Sequence, residues 1–199
     1  SPATGALSNK CNIAAHTILG QLQQFKALHL SDNRDEYRGA LRSYEQGLRL
    51  ARDKSEYASG FYADVLIHLQ QSERAVNLLL DRVARGQQNY VDYYKLGRVQ
   101  QSAGKPIPEW RESFVRARIA LTAHLEDRPD DAVAYGYLSL VHTRLGEFKD
   151  AIASITRAQQ LAPGDVDVFY LTARMYSLQK DKTQALEFLR KALGRRFSL

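Results

Sequence analysis

The chain has 199 residues, 44% of them hydrophobic and 25% charged, a balance that places it among ordinary globular proteins and outside the disordered and fibrous classes. One cysteine, Cys11, excludes an internal disulfide framework and reads as a packing residue. The net charge of +6 is a modest excess, compatible with an acidic partner. Apolar residues recur at helical spacing nearly throughout, and β-type alternation of useful length is missing. The spacing predicts a helix over Ile13 to Leu30, a polar loop over Ser31 to Asp35 and a helix over Tyr37 to Ala51. Four helix pairs follow: Glu56 to Leu69 with Glu73 to Ala84; Val91 to Ala103 with Pro108 to Glu126; Asp131 to Leu145 with Lys149 to Leu161; and Val166 to Gln179 with Thr183 to Leu193. Breaks are expected at Gly86, Gly104, Pro129, Gly146 and Pro163-Gly164. The turn Lys105 to Pro108 could serve as a docking loop; the favoured reading is that Pro108 opens the next helix, with Ile107 covering its apolar end. No run of 18 apolar residues is present, so no membrane-spanning helix is expected. The opening SPATGALSNK has neither an initiator Met nor a signal pattern, as in a processed chain or excised domain.

Sliding the chain 34 residues against itself sets Tyr135 on Phe169, Leu138 on Thr172, Ser139 on Ala173 and His142 on Tyr176. Farther on, Ala151 meets Ala185, Ile155 meets Leu189, and Ala158 meets Ala192. Large lies on large and small on small. Two antiparallel helices approach closely only where side chains are small, which Ser139, Ala151 and Ala158 permit. Tyr135, Leu138 and Ile155 fill the space around them, Gly146 turns the chain, and Pro163 ends the second helix.

This pattern resembles the tetratricopeptide repeat, whose period is 34 and whose signature is W-x2-L-G-x2-Y, then A-x3-F, then P. The chain supplies Tyr135, Leu138, Ser139, Ala151, Ile155, Ala158 and Pro163, and departs at His142, where the signature has Tyr. Tyr93, Leu96 and Gly97 repeat the opening of the signature, ahead of a lengthened turn and a long second helix. The match is densest over 132–199, thinner over 90–130 and sparse over 1–88, where Leu19-Gly20, Ala40, Tyr44 and Gly47, then Ala63, Ala75 and Leu79, carry diverged versions. Arg82 stands where a small residue is expected. The resemblance implies an all-α fold of about ten helices: antiparallel pairs stacked into a right-handed superhelical solenoid. The whole chain would form one array, with approximate repeats 13–53, 56–88, 90–129, 132–165 and 166–199.

Catalytic spacing is not found. His16, His29, His68, His124 and His142 form no H-E-x-x-H and no zinc spacing with cysteine. Nucleophile elbows, P-loops and dinucleotide fingerprints are missing as well, so neither enzyme activity nor a metal or other cofactor is expected. His142 is the nearest candidate for chemistry by position, and its simpler reading is a partly buried replacement for a packing Tyr. Arg111, Arg116 and Arg118 near Trp110, and Arg195-Arg196, could contact phosphate, but Glu109 and Glu112 dilute the first cluster. Nucleic acid is therefore the least favoured partner.

The resemblance implies a groove lined by the first helices of each pair, suited to an extended peptide or a partner helix. By the family's pattern its side chains are Tyr94, Arg98 and Gln101, then Gly136, Leu140 and Arg144, then Asp167, Tyr170 and Arg174. Arginines and tyrosines there would suit an acidic or carboxylate-bearing protein or peptide. The Lys-plus-Asn clamp of chaperone-binding relatives is not matched, since Arg98 and Arg174 stand where Asn is wanted. At the other end no polar capping helix follows Leu186, Phe188, Leu193 and Phe197. That end is expected to pack on another segment, another domain or a second copy of the chain. The reading is a non-catalytic interaction scaffold, with an accessory recruitment or dimerisation domain of a larger bacterial signalling or transferase enzyme as the alternative. Nothing in the residues sets the compartment; the cytoplasm is favoured, and the outer part of a membrane-anchored protein is also compatible.

Overall fold

A computed structural model describes residues 34–50, 56–85 and 89–197. The expected helix Ile13 to Leu30, Cys11, the break at Gly86 and the side chains of Arg195, Arg196 and Phe197 lie outside the described residues. Among the described residues there are nine α-helices and no strand: α1 Arg34–Leu50, α2 Glu56–His68, α3 Ser72–Ala84, α4 Tyr90–Ser102, α5 Ile107–Asp127, α6 Ala132–Leu145, α7 Phe148–Leu161, α8 Val166–Leu178 and α9 Lys182–Phe197. Two compact units are present, with α4 divided between them after Gly97.

The first unit is built on α1, α2 and α3, with 98–106. α1 packs on α2, and α2 on α3, around Tyr44, Val65, Leu66, Ala75 and Leu79. Burial pushes the Tyr62 phenol up to about 12, and its hydroxyl donates to Glu45 Oε1 at 3.2 Å. Arg74 reaches the same carboxylate at 2.6 Å, and Arg98 lies 3.6 Å from Asp64. Arg82 is buried.

In the second unit α5 packs on α6, α6 on α7, and α8 on both α6 and α7, while α9 pairs with α8. Ser139, Ala151 and Ala158 are buried, as close helix approach at small side chains requires. A close approach is made at Gly136: a Cβ there would stand 2.5 Å from Leu171 Cδ1, so the missing side chain admits α8. Asp131 and Asp165, 34 residues apart, cap α6 and α8 by accepting the backbone N–H of Ala134 at 2.9 Å and of Val168 at 3.0 Å.

Each described hairpin turns in the same manner. A single left-handed residue closes the first helix: Gln70 (φ 62°), Gly104 (φ 70°), Gly146 (φ 85°) and Lys180 (φ 65°). Each turn carries the two backbone bonds of a Schellman motif, as in Gly146 N–H to the Thr143 carbonyl at 3.2 Å and Glu147 N–H to that of His142 at 2.9 Å. Gln70 and Gly104 are one period apart, as are Gly146 and Lys180; the middle interval is longer because α5 has 21 residues where α7 has 14. One local expectation fails. Ile107 is the first residue of α5 and is 64% exposed, so most of its side chain faces solvent instead of covering the helix end. Pro108 sits second in the helix, where its missing N–H costs no bond.

Candidate functional site

α4 carries Tyr90 and Tyr94 one helical turn apart, and both rings belong to the second unit. Tyr94 is only 1% exposed. Its ring lies 5.9 Å from Phe114 and 5.7 Å from Tyr137, while Tyr90 lies 5.7 Å from Tyr137 and 5.2 Å from His124. Gly97 makes room for Phe114, because a Cβ there would be 2.8 Å from the ring. Burial first, and then the charge of Asp131, push the Tyr90 phenol up to about 12, so it stays neutral at any physiological pH.

Two arginines lie on this aromatic cluster. Arg174 of α8 donates from Nη2 to the Tyr94 hydroxyl at 3.0 Å, and its guanidinium lies 5.6 Å from the centre of the Tyr94 ring and 5.7 Å from that of Tyr170. Tyr170 is one turn before Arg174 on the same face and is half exposed. Arg144 of α6 lies 6.0 Å from the Phe114 ring. Cations held this way lose rotamer freedom before any ligand arrives.

The residues expected to form a groove therefore separate by depth. Arg144, Tyr170 and Arg174 reach the surface, while Tyr94 and Leu140 are buried beneath. Arg98 and Gln101 belong to the first unit, where Gln101 is exposed and Arg98 faces Asp64. Of the C-terminal residues, Leu186 and Leu193 are 42% and 47% exposed, and Phe188 stacks on Tyr176 at 5.8 Å. Two of the three α5 arginines singled out from the sequence are held in ion pairs. Arg116 pairs with Glu112 at 2.8 Å and Arg118 with Glu147 at 2.5 Å.

Beside Arg174, α8 and α9 border an open groove of about 350 Å³. Its floor is apolar, with Ala173, Ala185, Leu186 and Leu189, and its lining holds three cations, Arg174, Lys180 and Lys182, with no carboxylate. Sequence reasoning missed Lys180 and Lys182. Their signal was the pair of lysines flanking Asp181 at a predicted turn. His142, Glu147 and Asp150 bring ligand atoms within 4.8 Å of one another. Glu147 already accepts from Arg118 and sits 2.6 Å from His142 Nδ1, so this group acts as a clasp joining α5, α6 and the start of α7.

A family model described as tetratricopeptide repeat matches residues 112–166 and 140–198. Among solved structures the chain is similar to TTC0263, a thermophilic TPR protein of Thermus thermophilus, at 22% identity over 92% of this chain and 90% of that one, with a TM-score of 0.60. It is also similar to a MamA chain from Desulfovibrio magneticus RS-1, at 20% identity over 94% of this chain and 98% of that one, with a TM-score of 0.45. A third is YrrB, a TPR protein with an unusual peptide-binding site, at 20% identity over 96% of this chain and 90% of that one, with a TM-score of 0.41. No curated protein matches the chain. The first likeness establishes the fold: an all-α assembly of paired helices of this repeat type.

Proposed function

Because residues 112–166 and 140–198 match the tetratricopeptide repeat model and the helices pair as in that fold, we propose that this chain is a protein-interaction scaffold with no catalysis of its own, and that it takes a carboxylate-bearing protein segment on the face of α6 and α8. The observation that carries this reading is Arg174, tethered to the Tyr94 hydroxyl and set between two tyrosine rings. A guanidinium has five N–H donors, and the bond to Tyr94 uses one of them. The fork is pre-aimed for a carboxylate, and the rings limit the entropy lost on binding. Arg144 adds a second cation, Tyr170 adds an exposed aromatic contact, and the buried Tyr94 and Leu140 support them from below.

The test is quantitative capture of partners from cell extract by the wild-type chain beside Arg174→Glu and Arg144→Glu variants. A specific partner is expected to be lost, with at least tenfold weaker retention as the order of magnitude for reversing one central interface cation. Helicity by circular dichroism should be unchanged. An identical partner set in wild type and both variants would remove these residues from the site.

A further inference from the structure

The molecule contains its own example of what fills a groove between paired helices. α8 lies against both α6 and α7, with Leu171 seated on Gly136 and Thr172 accepting from Gln159 Nε2 at 3.2 Å. One period later, α8 and α9 form the corresponding groove, which no described helix fills. Its floor is preserved in kind: the buried Ala151 and Ile155 become Ala185 and Leu189, and Ile152, at the edge of the preceding groove and 40% exposed, becomes Leu186. Its rim has changed. Leu140 is replaced by Arg174, Gly146 by Lys180, and Phe148 by Lys182. An apolar seat for a helix has thus been given a border of three cations with no carboxylate in the lining. Lys180 also holds a left-handed backbone, φ 65°, where the preceding hairpin uses glycine.

We propose that the α8–α9 groove is the seat of an acidic amphipathic helix from a partner protein, laid where α8 lies in the preceding groove. This rests on the scaffold reading above and adds a second site and a ligand shape to it. The apolar stripe of the incoming helix covers Leu186 and Leu189, and its carboxylates face Lys180, Lys182 and the Arg174 guanidinium. Tyr170 stands where Gly136 admits Leu171, so the helix carries a small residue opposite that ring. A second copy of this chain is a poor occupant, because with a net charge of +6 it brings the same sign to a cationic rim.

The probe is a synthetic helix of about 18 residues, long enough to be partly helical in water, with the stripe Val168, Leu171, Thr172 and Met175 of α8 copied on one face, Leu171 shortened to Ala, and Glu elsewhere. Fluorescence anisotropy with the full chain is expected to show saturable binding that weakens with added salt. The Lys180→Glu/Lys182→Glu variant should bind about tenfold more weakly or worse. Leu186→Asp should also weaken binding, whereas Arg144→Glu, which tests the other face, should leave it unchanged. A counterpart with Lys in place of Glu, and one broken by a central proline, should not bind. No saturable binding by the wild type would sink the groove assignment. So would undiminished binding by the lysine double variant, or equal binding of the proline-broken peptide. Loss with Arg144→Glu alone would move the ligand to the α6–α8 face, ending this proposal while leaving the scaffold reading intact. A chain that sediments as a dimer dissociated by Leu186→Asp would replace the partner helix with a second copy, and would also overturn it.

Discussion

Lys180 and Gly146 hold the same place in successive hairpins and nearly the same backbone, with φ of 65° and 85°. A side chain in that region costs about 1–2 kcal/mol against the right-handed alternatives. Glycine avoids that cost and returns part of the gain as chain entropy. Lys180→Gly is therefore expected to stabilise the protein by about 0.5–1 kcal/mol in urea unfolding, while removing one cation from the α8–α9 rim. A lower midpoint for Lys180→Gly would contradict the strain argument. Gly146 as a turn is legible in the sequence, because glycine after a helical stripe announces a left-handed close. The equivalent role of Lys180 is visible only by counting one period forward, since lysine itself carries no such preference.

Two histidine–carboxylate pairs tie consecutive helices in the second unit. His124 Nε2 lies 2.8 Å from Asp131 Oδ2, and the other oxygen of Asp131 caps α6. Burial raises the Asp131 pKa, but the backbone N–H of Ala134 and the His124 contact outweigh it and hold the carboxyl below its ordinary range. At Glu147 burial acts upward in the same way, and His142 and Arg118 together bring the group below its ordinary range. Both folded-state values are depressed, so the stability they contribute is present above the unfolded-state values near pH 4 and is lost as pH falls through the folded-state ones. Asp131→Ala is expected to cost about 1 kcal/mol at neutral pH through loss of the cap. It should also flatten the fall in melting temperature between about pH 5 and pH 3. A variant whose acid profile parallels the wild type would show that Asp131 carries none of that dependence. These ties were only half legible. The Asp131 cap is readable from an Asp ahead of an apolar stripe, but its partner His124 comes from the preceding helix and is brought to it by packing.

The second unit contains a core of its own around Tyr94, Phe114, Leu121, Leu140, Val168 and Met175, all buried within it. A fragment spanning 88–199 is therefore expected to stay helical by circular dichroism and to melt cooperatively. A broad, featureless melt would show that this core depends on the residues removed. The long α5 belongs to this scale too. Its seven residues beyond the length of α7 supply most of the lengthening of the interval between the hairpin turns at Gly104 and Gly146.

The helices, their breaks and the 34-residue period of 132–199 were determined by the sequence alone, because apolar spacing, small residues and turn glycines act through local geometry. Arg144, Tyr170 and Arg174 are groove positions by the family's pattern, as what the resemblance implies, and not by spacing. Their place over a buried Tyr94 was decided by tertiary structure, since the packing of α4, α5 and α6 brings Tyr94, Phe114 and Tyr137 together and Arg174 reaches Tyr94 from 80 residues away. The cationic rim of the α8–α9 groove was likewise decided there. Arg174, Lys180 and Lys182 are unremarkable along the chain, and only the folding of α9 back onto α8 sets their charges around one apolar floor.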